Sequence, residues 1–193
     1  MKRCNALSQL LLSLVALCIA AVTSSAQVQL NAVNTPVTID FTGYTASGFA
    51  PAPIAGQLNS NNWASTGMSD GNLNFGDTQT GGDYARGLWN NSTSGGFYYI
   101  SQGGNVRFIV QPTAADFNPG TITLRIQNNT GQAMTRLSVG YDVIVNNSGP
   151  RANSFNFSYS TNNSTYTTVP GACGGDYTSP EAADALGFVV GAS

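Results

Sequence analysis

Apolar residues recur at every second position in short runs, and each run ends in a cluster of turn-forming residues. Val37, Ile39 and Phe41 alternate with Thr38, Asp40 and Thr42, and Val106, Phe108 and Val110 alternate with Arg107, Ile109 and Gln111. The same period gives Ile122, Leu124 and Ile126, then Leu137, Val139, Tyr141, Val143 and Val145, then Phe155, Phe157 and Tyr159. Successive side chains of a strand point to opposite faces, so a period of two predicts half-buried strands. Between them lie Gln102-Gly103-Gly104-Asn105, Asn118-Pro119-Gly120, Asn128-Asn129-Thr130-Gly131 and Asn146-Asn147-Ser148-Gly149-Pro150, all residues suited to tight turns or positive φ. Short strands at this spacing predict an all-β fold, an antiparallel β-sandwich of jelly-roll type. One helical turn is expected over 179–185, with Pro180 at its first position.

The N-terminus does not belong to that pattern. Lys2 and Arg3 precede an apolar run from Leu10 to Val22 broken only by Ser13, and Ser24 and Ala26 supply the small residues that signal peptidase needs before Gln27. Spanning a bilayer takes about 20 apolar residues, so the run favours a secretory signal over residues 1–26 rather than an anchor. The expected mature chain, 27–193, is a single domain with no membrane span, secreted or held at the cell surface.

Composition then removes whole classes of function. Charged residues are 8% of the chain and histidine is absent, which excludes His-dependent triads and imidazole metal sites. Cleavage would remove the one lysine and leave five arginines against eight aspartates and one glutamate. A lysine-free, mildly acidic chain has no basic footprint for phosphates, so no nucleic-acid partner is expected. Cys173 is the one cysteine beyond the leader, so no disulfide within the mature chain is expected. A glycosidase needs two carboxylates about 5 to 10 Å apart. Glu181 and Asp184 offer the one pair that includes a glutamate, and surface charge explains them equally. With neither histidine nor mature lysine to activate a serine or Cys173, the chain is read as non-catalytic.

Two binding chemistries stay open in the less regular stretch from Ala46 to Ser94 and in the aromatic residues just after it. Asp70, Asn72 and Asn74 have the spacing of the first ligands of an EF-hand loop, but Phe75 and Gly81 stand where that loop wants glycine and glutamate. A calcium site using Asp70, Asp77 or Asp83 is one reading, with the ion stapling its loops; Asx turns are the other. Trp63, Trp89, Tyr98 and Tyr99 lie among Asn, Gln, Ser and Asp, a mixture that stacks on sugar rings and takes up their hydroxyls. Tyr98 and Tyr99 are adjacent on a strand and must face opposite ways, so one is expected to be exposed. Core packing of both indoles is the competing reading. Arg107 and Arg125 are expected to face solvent or a carboxylate, and Arg86 to be held by Asp83 or Asp77.

Several runs carry a resemblance. Val37-Thr38-Ile39-Asp40-Phe41-Thr42-Gly43-Tyr44, Gly56-Gln57-Leu58-Asn59-Ser60-Asn61-Asn62-Trp63, Thr66-Gly67-Met68-Ser69-Asp70-Gly71 and Gly82-Asp83-Tyr84-Ala85-Arg86-Gly87 resemble an uncharacterised group of bacterial secreted β-sandwich domains. Leu124-Arg125-Ile126-Gln127-Asn128-Asn129-Thr130-Gly131 and Asn153-Ser154-Phe155-Asn156-Phe157-Ser158-Tyr159-Ser160 extend the likeness, which covers most of 37–185. It implies a place near the start of longer, surface-exported extracellular proteins, and no catalytic residue. It also implies a further strand with an Asp-rich motif after the apolar run 186–190, so the chain is expected to lack the last strand of its sandwich and to leave an open edge there. The expected function is a non-catalytic binding or surface module whose partner is a polysaccharide or surface glycan. A purely structural spacer or adhesion domain is the alternative, and a fragment of an extracellular hydrolase comes third.

Overall fold

The computed structural model describes residues 28–147, 151–169, 176–178 and 184–192. The expected leader over 1–26, Cys173 and Glu181 lie outside them. Contacts divide the chain into two compact units, Met1–Gln132 and Ala133–Ser193, and each is described by itself. All regular structure among the described residues is β, apart from one 3₁₀ turn at Gly82–Tyr84. No helix among them is long and apolar enough to cross a membrane.

The first unit contains β1 (Val28–Leu30), β2 (Tyr44–Ala50), β3 (Gly56–Asn59), β4 (Trp63–Thr66), β5 (Gly96–Gln102), β6 (Asn105–Gln111), β7 (Thr121–Leu124) and β8 (Ile126–Asn128). Its ladders are two-stranded: β1 with β8 and β2 with β3 run parallel, whereas β4 with β7 and β5 with β6 run antiparallel. The antiparallel expectation is therefore met only in part. In β2, Ala46 and Gly48 sit at φ 50 and 102, and the pairing with β3 shifts register between Tyr44 and Phe49. A chain bent in this way reaches β3 from both its ends.

The β5–β6 hairpin follows from its turn. Gly103 and Gly104 both have positive φ, as a two-residue turn matched to strand twist requires, and Gln102 pairs with Asn105. That register turns Phe97 and Phe108 toward a core built mainly of rings. Phe49, Met68, Leu73, Tyr84 and Phe97 are buried together, with Leu58, Trp63, Phe108, Val110, Phe117 and Ile122 packed against them. Phe49 and Phe97 both meet the Tyr84 ring edge-on, with centroids 5.9 and 5.6 Å away, the arrangement that aromatic quadrupoles favour.

Two expected strands are absent or shortened. Residues 36–42 form no ladder, and Val37 and Ile39 are 48% and 39% exposed. Leu137 and Val139 likewise lie in irregular chain before β9. Alternation supplies a face for a strand but not the neighbour that must pair with it.

The second unit holds β9 (Tyr141–Asn147), β10 (Ser154–Asn156), β11 (Ser158–Tyr159), β12 (Thr167–Thr168), β13 (Asp176–Thr178) and β14 (Asp184–Ala192). Its ladders are antiparallel: β9 with β14, β10 with β13 and β11 with β12. The run 186–190 is thus part of a long strand paired along β9, with Phe188 opposite Val145 and Val190 opposite Val143. Of the helical turn expected over 179–185, Asp184 and Ala185 begin β14 instead. Tyr141 stacks on Phe157 and meets Phe155 edge-on, at 5.8 and 5.6 Å.

Candidate functional site

The polar centre of the first unit is built around Asp83. The sequence Gly81-Gly82-Asp83-Tyr84 makes the 3₁₀ turn, with Gly82 at φ 53 and packed so closely on Asp70 that a Cβ there would overlap the Asp70 carboxylate. The two aspartates bond reciprocally: the Asp83 amide donates to Asp70 Oδ2 at 2.8 Å, and the Asp70 amide donates to Asp83 Oδ2 at 3.0 Å. Ser69 Oγ also donates to Asp83 Oδ2, at 2.9 Å. Arg86 supplies the countercharge, 2.5 Å from Asp83 Oδ1, and its Nε donates to the Gly95 carbonyl at 2.9 Å. A carboxylate only 1% exposed is tolerable because each oxygen has donors and one of them is a cation. The anticipated Arg86–Asp83 pair is therefore present.

A third carboxylate completes the knot. Asp116, 6% exposed, accepts the Ser69 amide on Oδ1 at 2.8 Å and the Thr113 hydroxyl on Oδ2 at 2.9 Å. Burial pushes its carboxyl up, but the hydrogen bonds from Ser69 and Thr113 outweigh this and hold it below the ordinary value of 3.8. The Tyr84 hydroxyl donates to the Gly71 carbonyl at 2.7 Å, and burial raises it to about 12. Sequence reasoning missed Asp116. Its one local sign is Thr113 three residues earlier, whose hydroxyl also accepts the Asp116 amide.

The calcium candidates separate. Asp70 and Asp83 meet, but Asp77 closes a turn of its own, accepting the Asn74 amide at 3.1 Å and the Asn74 side chain at 2.8 Å. Asn72 Oδ1 takes the Gly67 amide at 3.3 Å. Asn72 and Asp77 thus serve the backbone as turn residues do, and the Asn74 side chain braces Asp77. Among the described residues no three His, Cys, Asp or Glu side chains are grouped to hold a metal ion.

The aromatic candidates occupy two places. Trp63, half-buried in β4, lies against Phe41 and Phe108 at 6.0 and 6.4 Å, and Tyr44 closes the group at 5.5 Å from Phe108. Trp89 runs beside β5, its amide donating to the Tyr99 carbonyl at 2.9 Å; its indole nitrogen is buried and lacks a partner among the described residues. Tyr98 is buried, bonded through its hydroxyl to Ser92 and to the Ser94 carbonyl, and Tyr99 is half-buried. The expectation that one of the two tyrosines is exposed is not met, because residues 87–89 lie along β5 and the turn at 92–94 covers Tyr98. Arg107 bonds the Gln102 amide oxygen and Arg125 lies 3.7 Å over the Phe75 ring, and among the described residues neither arginine pairs with a carboxylate.

No protein-family model matches the chain, and neither a curated protein nor a solved structure shows significant similarity to it.

Proposed function

We propose that this chain is a secreted, non-catalytic module of jelly-roll type that acts at or beyond the cell surface by binding a neutral glycan. The reading is supported by how the side chains are used. Asp70, Asp83, Asp116 and Arg86, the groups suited to acid–base work, are consumed by one another, by Ser69 and Thr113, and by backbone groups. The Tyr84 phenol, protonated at neutral pH in any case, is pushed further from ionising by burial. Trp63, Trp89 and Tyr99, by contrast, are only half-buried and lie in the sequence among neutral amides and hydroxyls. Such a surface can hold a sugar ring but has nothing to cleave it with.

The test is affinity electrophoresis of the chain through xylan, galactomannan and mixed-linkage β-glucan, with reducing ends measured in parallel. Retardation without release of reducing ends is expected. Release of reducing ends would overturn the non-catalytic reading. Migration unaffected by every polysaccharide would favour the structural spacer, which the incomplete exposure of both indoles also supports.

A further inference from the structure

We infer that Phe41 is an intramolecular plug seated on a pyranose-binding platform made by Trp63, Phe108 and Tyr44. The inference rests on the glycan-binding reading above and names its site. Phe41 is a bulky residue at φ 56, in the left-handed region that a side chain with a Cβ seldom adopts. Its ring stacks on Phe108 at 5.4 Å and 21°, and touches Trp63 at 6.0 Å and Tyr44 at 6.4 Å. The aromatic contacts therefore hold a strained backbone in place.

The segment that carries the ring is weakly tied. From Leu30, paired to β8, to Tyr44, at the start of β2, the chain forms no ladder. Its hydrogen bonds near Phe41 are local: the Thr42 amide on Asp40 at 2.9 Å and the Tyr44 amide on the Phe41 carbonyl at 2.9 Å. Val37 and Ile39, which share the sequence phase of Phe41, stay exposed. Phe41 is thus the member of that row that has found a hydrophobic seat. Swinging it out breaks few bonds and relieves its φ.

What it would uncover fits a sugar. The rings of Trp63 and Phe108 are stacked within 17° of parallel, 6.4 Å apart, and the ring face that Phe41 covers would be the one offered to the C–H face of a pyranose. The Tyr44 hydroxyl, on a residue 2% exposed, has no hydrogen-bond partner among the described residues. A buried hydroxyl without a partner is unusual in a settled core and marks a place where a donor or acceptor is missing. A phenyl ring such as Phe41 cannot satisfy it, whereas a sugar hydroxyl can. The rings that form the seat, Trp63, Phe108 and Tyr44, carry no charge at neutral pH, and Asp40 is exposed and engaged with Thr42, which suits a neutral sugar better than a uronic acid.

Phe41→Gly removes the plug and accepts positive φ. If the plugged state holds at least nine-tenths of the population, unplugging raises apparent affinity by about tenfold. The chain, its Phe41→Gly variant and Trp63→Ala in both backgrounds are titrated with xylan, galactomannan and β-glucan by isothermal calorimetry. Expected are weak binding by the unaltered chain, about tenfold tighter binding by Phe41→Gly, and loss of that gain with Trp63→Ala. Binding unchanged by Phe41→Gly and by Trp63→Ala would place the sugar elsewhere and overturn the plug while leaving the glycan reading intact. No binding by either form would overturn both. A Phe41→Gly chain that fails to fold would show the ring to be core and overturn the plug. So would a Phe41→Gly site that takes a phenylalanine-containing peptide but no polysaccharide.

Discussion

Asp83 ties its own turn to the Ser69–Asp70 segment, since its two oxygens receive Ser69, Asp70 and Arg86. Replacing it with alanine strands a serine hydroxyl, an amide and a guanidinium together. A loss of about 3 kcal/mol in urea unfolding is expected, the range seen when one partner of a buried pair is removed. Arg86→Ala should cost less, because that side chain is 33% exposed and water can replace part of what is lost. Gly82→Ala offers a sharper check, since its new methyl would overlap the Asp70 carboxylate. Two residues in contact are not additive, so Gly82→Ala should destabilise Asp70→Ala less than it destabilises the unaltered chain. Equal losses in both backgrounds would mean that φ alone, not the close approach, demands glycine there. The Arg86–Asp83 pair was legible in the sequence because the residues are three apart. Asp116 was not, because its bond to Ser69 spans 47 positions.

At the scale of elements, local chemistry was readable and distant pairing was not. Gln102-Gly103-Gly104-Asn105 predicts a hairpin and one forms, because the turn needs only its own two glycines. Neither glycine would bring a Cβ near other atoms, so the requirement there is conformational and not steric crowding. Gly104→Val should therefore cost about 1–2 kcal/mol, the usual penalty for a side chain in the left-handed region. Gly103→Asn should be close to neutral, since asparagine tolerates the same region ahead of glycine. Thermal melts of the two variants test this, and equal losses would rule out the two-residue turn as the determinant. Tyr98 shows the other side. Alternation predicts that either it or Tyr99 faces solvent, yet the turn at Ser92–Ser94 covers it and captures its hydroxyl. Period two reports the faces of a strand, and only the rest of the fold decides whether both are covered. The same gap explains the strand expected at 37–42, whose pattern is sound but which has no ladder partner.

For the whole molecule the consequence is a stability plateau bounded by buried acids at one end and buried phenols at the other. Asp116 has its folded value lowered, so the stability it contributes is complete above its ordinary value of 3.8 and is lost as pH falls through the lower folded one. Tyr84 has its value raised by burial from 10.0 to about 12, and Tyr44 is raised by burial too. A group raised in the folded state adds stability that is fully present below its unfolded value. That contribution fades as pH climbs from 10 toward 12, where the unfolded chain ionises and the folded one does not. With no histidine in the chain, no side chain but cysteine ordinarily titrates between about pH 5 and pH 9. Urea midpoints should thus be nearly flat from pH 5 to pH 8, fall below pH 4, and fall again above pH 10 as phenolate absorbance appears with unfolding. Asp116→Asn should flatten the acid limb and Tyr84→Phe should reduce the alkaline one, whatever each costs at neutral pH. A steep change in midpoint between pH 5 and pH 8 would contradict this account, since it would require a titrating group that these two aspartate and tyrosine sets do not supply.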